Sequence, residues 1–210
     1  MVDRNNSHFV YEGKGDILLL ACGALAAEIL ALIRMNGWDH FHLHCLPAKL
    51  HLYPDKIPHE VEKAVNKFKS EFKHIFVVYA DCGTGGLLRK KCDEMGIEMI
   101  PGPHCYAFFE GVEKFNKTAE NEITSFYLTD FLVRQFNSFI IKPLGLDKHP
   151  DLKEMYFGNY TKLVYLAQTE DQDLTRLAKD YAELLELEYE RRFTGYGDLA
   201  QTLNNLHPNQ

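Results

Sequence analysis

The sequence predicts an α/β protein with a mostly parallel sheet flanked by helices. Short apolar segments, several rich in β-branched residues, alternate with longer segments of helical period, the pattern of strand–helix–strand units. Glycine and proline punctuate the joints between them. The third observation is size: 210 residues, 46% hydrophobic and 25% charged, suffice for a substantial core. Together they point to a Rossmann-like, three-layer arrangement over residues 17–204, with a helix-rich insertion at about 105–157 and a flexible segment at 1–16.

The elements follow in order. Ile17 to Ala21 reads as the first strand, and the alanine- and leucine-rich stretch from about Ala24 to Met35 as the helix after it. The Asn36-Gly37 break leads to a second strand, Phe41 to Leu46, expected to pair sequentially with the first. Apolar Val61, Ala64, Val65, Phe68 and Phe72 recur at three- and four-residue spacing within Ile57 to Phe72, which predicts a sheet-packing helix. His74 to Ala80 reads as a buried strand and Leu87 to Met95 as a helix stopped by Gly96. Ile97 to Ile100 is a short strand ended by Pro101-Gly102-Pro103. Cys105 to Phe115 and Ile123 to Ile141 are aromatic, periodic segments, followed by a short helix around Leu152 to Tyr156. Lys162 to Ala167 reads as a strand, Asp171 to Leu185 as a helix with an acidic first turn, and Leu187 to Phe193 as a last strand. The first dozen residues and Leu206 to Gln210 read as disordered ends.

Composition narrows the function. A net charge of −7 lacks the basic footprint of a nucleic-acid binder. The longest apolar run, Ile17 to Leu32, is interrupted by Gly23 and Glu28 and is too short to span a bilayer, so neither nucleic acid nor membrane is an expected partner. The polar stretch Met1 to Asp16 has no secretory pattern, which predicts a cytoplasmic protein. Five cysteines then fit reduced thiols, metal ligands or a nucleophile better than a disulfide framework.

Parallel strands place their following loops on one edge, where ligands bind. Those loops read Ala21-Cys22-Gly23-Ala24-Leu25, Leu46-Pro47-Ala48-Lys49-Leu50-His51, Asp81-Cys82-Gly83-Thr84-Gly85-Gly86 and Pro101-Gly102-Pro103-His104-Cys105-Tyr106. Cys22, Cys82 and Cys105 are thus predicted to converge as metal ligands. Three soft thiolates suit zinc or an iron–sulfur cluster with a position left open. His51 and His104 are neighbouring nitrogen donors, for the fourth position or for acid–base work, and Asp81 is a candidate base or orienting group. Cys82, at a helix start, is alternatively a nucleophile with His104 as its base.

The turn Gly83, Thr84, Gly85 and Gly86 is a candidate anion or cofactor loop, although Lys90 and Lys91 fall wrongly for a Walker loop. Gln168, after the Lys162 to Ala167 strand, is a further candidate contact. His40, His42 and His44 alternate along one strand, as a metal ladder or a solvated face. Cys45 and Cys92 read as inert, and Asp130 and Asn159 as hydrogen-bonded structural or site-lining groups.

These loops, with Leu128-Thr129-Asp130-Phe131-Leu132 and Tyr165-Leu166-Ala167-Gln168-Thr169, resemble the bacterial and archaeal family called domain of unknown function 1638. The family brings no established activity. Its members are often encoded beside corrinoid-dependent methyltransferases, so the resemblance implies a context of one-carbon and methylamine metabolism. Quinolinate synthase and the diphthamide-forming radical enzyme offer a looser analogy, each bringing three cysteines from separate α/β units to one cluster. Three functions stay open. One is a metal-dependent enzyme, a transferase or lyase acting on a small-molecule substrate. Another is a metal or corrinoid carrier serving a methyltransferase. The third is a metal-free enzyme using Cys82.

Overall fold

The computed structural model describes residues 8–118 and 120–206, and the expected disorder at 1–7 and 207–210 lies outside them. The fold is mixed α/β, and its strands divide between two sheets where one is expected. Two compact units result. One holds the described residues up to Cys105 and those from Ala200 onward, and the other holds Tyr106–Leu199.

The first unit is built on β1 (Phe9–Tyr11), β2 (Ile17–Cys22), β3 (Phe41–Leu46), β4 (His74–Val78) and β5 (Glu98–Met99), in the order β1-β3-β2-β4-β5. All pairs are parallel except β1 with β3. The expected pairing of the first two predicted strands holds, since β3 lies beside β2, and β4 lies on the other side of β2. Burial explains this position, since Leu18 through Cys22 are at most 2% exposed, as the uniformly apolar strand at the centre of a covered sheet must be. Helix α1 (Ala26–Asn36) ends at Gly37, whose φ of 65° is the left-handed conformation that closes a helix cheaply. Helix α2 (Ile57–Phe68) buries Ile57, Val61, Ala64 and Val65 on one stripe, and α3 (Leu87–Met95) stops at Gly96.

The expected flexible segment 1–16 is corrected too, because Phe9–Tyr11 pair with Leu43–Cys45. The histidines supply the reason. His42 Nδ1 accepts from the Gly13 amide at 3.3 Å, and its Nε2 lies 3.0 Å from the Gly15 carbonyl. His44 Nε2 lies 3.1 Å from His8 Nδ1. His42 and His44 thus anchor the preceding segment. They form neither a solvated face nor, among the described residues, a metal-binding group.

The second unit contains the wholly parallel sheet β6 (Ser125–Thr129), β7 (Lys162–Ala167) and β8 (Glu188–Phe193). β6 falls inside the stretch expected to be helical, whose aromatic residues satisfy either period; α4 (Ala107–Glu110) and α5 (Val112–Thr118) precede it. Helix α6 (Asp130–Arg134) follows β6, and after the short α7 (Lys153–Phe157) comes α8 (Gln172–Leu185), with Asp171 accepting from the Asp173 and Leu174 amides as its cap. Leu128, Val133, Phe136, Leu163, Tyr165 and Ala178 form the core. Asp130, 1% exposed, accepts from the Tyr165 hydroxyl, the Gln168 amide and the Thr169 hydroxyl, so the buried carboxylate is satisfied.

Candidate metal centre

Strand β2 hands the chain to β3 on one side, and β4 then forms on the other, so the direction of strand addition reverses between β2 and β4. Such a reversal opens a crevice at the carboxyl ends of the two strands. Cys22 ends β2 and Cys82 lies in the loop after β4. His51 lies in the helical turn Ala48–Leu52 after β3, and Cys105 in the loop after β5.

His51, Cys82 and Cys105 form one compact group, with one donor atom from each within 4.8 Å of the others. The sulfurs of Cys82 and Cys105 are 3.1 Å apart. The expected trio is thereby revised. Cys22 does not join this group; its Sγ lies 3.4 Å from His51 Nδ1 and accepts from the Ala24 amide at 3.3 Å. His51 Nδ1 also lies 3.2 Å from the Ala48 carbonyl, an acceptor only, which places a proton on that nitrogen. His104, half-buried beside Cys105 in the chain, is not in the group.

The electrostatics are those of a charged cluster. Burial opposes a charge on His51, but its contacts with the Cys22 and Cys82 sulfurs outweigh it and hold the imidazole well above its ordinary range. Cys105 donates to Cys82, and this bond, with His51 nearby, brings the Cys82 thiol down to about 4. The same bond and burial push the Cys105 thiol up. Cys92 is buried on α3, and desolvation raises it to about 11; Cys45 is also buried.

Sequence reasoning missed Tyr79. It follows β4, is 0% exposed, and its ring stacks on His51 at 6.4 Å between centroids. Its hydroxyl has no hydrogen-bond partner among the described residues. Burial raises it well above the usual phenol range, and the sulfurs of Cys22, Cys105, Cys45 and Cys82 add to the effect. A buried hydroxyl without an acceptor is costly. Polar residues at strand ends are the signal that would have flagged it.

The glycine loop is filled from within. Asp81 accepts from the Thr84 hydroxyl at 2.7 Å, the Gly85 amide at 3.1 Å and the Gly86 amide at 2.7 Å, so its carboxylate occupies the nest these groups make. Burial works to raise the Asp81 carboxyl, but these bonds prevail and hold it low. Gly83, Gly85 and Gly86 all have positive φ, which the loop path requires. Asp81 is thereby committed to organising the loop that carries Cys82. In the second unit, the Gln168 side chain accepts from the Asp130 amide at 2.8 Å and donates to the Leu166 carbonyl at 2.6 Å, which uses both ends of its amide.

A family model described as "Protein of unknown function (DUF1638)" matches residues 45–203. The chain belongs to that family. The DUF1638 match includes His51, Cys82 and Cys105 and begins beyond Cys22. A search among curated proteins found no match. Among the described residues, no helix is long and apolar enough to cross a membrane.

Proposed function

We propose that this DUF1638 protein is a metal-thiolate enzyme whose zinc ion is held by Cys82, Cys105 and His51, with a fourth position open to a small-molecule substrate. The observation that carries the reading is the convergence of these three donors within 4.8 Å on one sheet edge, with the buried Tyr79 ring stacked on His51. Two sulfurs and one nitrogen suit a mononuclear zinc site better than the iron–sulfur cluster that three sulfurs would favour. When bound, the ion supplies Lewis acidity or activates a thiol or methyl donor. The Rossmann-like reading of the first unit fits a site at the strand reversal. A reducing, cytoplasmic setting, in which the thiols stay free, also suits it. The family context makes a one-carbon or methylamine-derived compound the substrate class, and a corrinoid protein or methyltransferase the partner.

The test is metal content of untagged protein purified without air. Near-stoichiometric zinc is expected, lost in Cys82→Ser, Cys105→Ser and His51→Ala but kept in Cys45→Ser and Cys92→Ser. Zinc that stays low after reconstitution, or is indifferent to the first three changes, overturns the reading. Zinc that passes to a methyltransferase faster than to a chelator would assign the carrier role instead. A second reading has its own support in the 3.1 Å contact of Cys105 with Cys82, whose thiol is lowered to about 4: a metal-free enzyme with Cys82 as nucleophile. Selective alkylation of Cys82 in protein that never holds metal would favour it.

A further inference from the structure

Cys82 and Cys105 differ from the other cysteines in a way that metal binding alone does not require. Cys82 is the least buried of the cysteines, whereas Cys22, Cys45, Cys92 and Cys105 are buried, so of the pair it lies nearer to solvent. The Cys105 sulfur stands 3.1 Å behind it, and closure to a disulfide bond of about 2.05 Å needs a shift of roughly 1 Å. The backbone keeps the two loops together. The Asp81 amide donates to the Gly102 carbonyl, and the Cys82 amide to the Pro103 carbonyl, each at 3.0 Å. Cys82 itself is held at a φ of 48°, a left-handed conformation rarely taken by a residue with a side chain and sustained here by this bonding.

We propose that Cys82 and Cys105 form a reversible two-electron couple, closed to a disulfide by a small hydroperoxide. The Cys82 sulfur attacks the peroxide O–O bond and takes one oxygen as a sulfenic acid, while the other oxygen leaves as water or alcohol. The Cys105 sulfur then attacks the Cys82 sulfur; the S–S bond forms, the S–O bond breaks, and a water leaves carrying the proton from Cys105. In sum, two thiols lose two electrons and two protons, which reduce the peroxide. A small dithiol returns the pair to the reduced state. Closure withdraws both sulfur donors from the metal. That consequence rests on the zinc reading, whereas the couple itself does not.

The experiment treats reduced, zinc-reconstituted full-length protein with hydrogen peroxide, blocks free thiols, and maps cross-linked peptides by mass spectrometry while a colorimetric chelator follows zinc. A Cys82–Cys105 cross-link, reversed by dithiothreitol and accompanied by zinc release, is expected. In Cys105→Ser, a sulfenic acid trapped at Cys82 by dimedone replaces the cross-link. The same cross-link in protein that never takes up zinc supports the couple and overturns the metal reading. Peroxide that leaves zinc bound and both thiols reduced overturns the couple and leaves the metal reading standing. Cys82 oxidised to sulfinic acid in the parent, or paired with a different cysteine, also overturns it.

Discussion

Tyr79 lies nearly parallel to His51, with an angle of 15° between ring planes, and buries a hydroxyl that no described residue satisfies. An unsatisfied buried donor costs about 1–3 kcal/mol, and an apolar replacement of the same shape removes that cost. Tyr79→Phe is therefore expected to stabilise the metal-free protein by about 1 kcal/mol. Urea denaturation of the metal-free protein measures this; a Phe variant less stable than the parent would contradict the assignment.

Cys22 Sγ lies 3.4 Å from His51 Nδ1 without joining the donor group, so in the proposed site it would orient the imidazole. Loss of such a supporting contact typically weakens metal affinity by roughly 10–100-fold without removing a ligand. Cys22→Ser should accordingly reach full zinc occupancy at saturation but lose the ion sooner to a competing chelator. If its stoichiometry collapses as in Cys82→Ser, Cys22 is a ligand after all.

The site was legible to the extent that parallel strands dictate it. Cys22 ends a strand and His51, Cys82 and Cys105 follow strands of the same sheet, and period and punctuation alone place them on one edge. The exchange of Cys22 for His51 was not legible, because it depends on Cys22 turning its sulfur to the Ala24 amide and on His51 sitting in a helical turn no motif announces. Asp81 was ambiguous for a related reason: an acid before a glycine loop serves equally as base or as loop anchor until its bonds are seen. β6 was hidden because Phe126 and Tyr127 sit in a segment whose apolar spacing also fits a helix. β1 was hidden because its pairing rests on histidine contacts made tens of residues away.

The second unit concentrates charge around Arg192. Its guanidinium meets Glu110 at 2.9 Å and Glu190 at 2.6 Å, and also pairs with Glu122, which the Tyr127 hydroxyl bonds as well. The Glu110 side chain is fully buried and Glu122 only 13% exposed. Arg192→Leu removes the main partner of both carboxylates, leaving Glu110 to Lys114 at 3.2 Å and Glu122 to Lys162 at 3.8 Å, and is expected to cost less than the roughly 3–5 kcal/mol of a buried charge left alone. Arg192 also holds the Glu122 carboxyl down to about 2, from an ordinary 4.5. A depressed carboxyl stabilises the fold above its unfolded value, so this contribution fades as pH falls from about 4.5 toward 2. Urea midpoints across that window should fall more steeply in the parent than in Glu122→Gln.

His44 sets a second pH dependence, in the first unit. Only 8% exposed, it is kept neutral by burial first, then by His8 and Lys67, and its imidazole falls to about 4 from an ordinary 6.5. The unfolded chain takes up a proton through 6.5 while the folded chain resists until about 4. The stabilisation is thus complete above 6.5 and is lost as pH falls from about 6.5 to about 4. Its full extent is at most about 3 kcal/mol, from 1.36 kcal/mol per pH unit of displacement. Val10 pairs with His44 in the β1–β3 ladder, so the loss should show first in β1. Hydrogen exchange at Phe9–Tyr11 is expected to quicken, beyond its intrinsic pH trend, as pH falls through this window, and His44→Gln should flatten both that response and the fall in urea midpoint. An unchanged slope in the variant would mean that a different group carries the acid sensitivity of this unit.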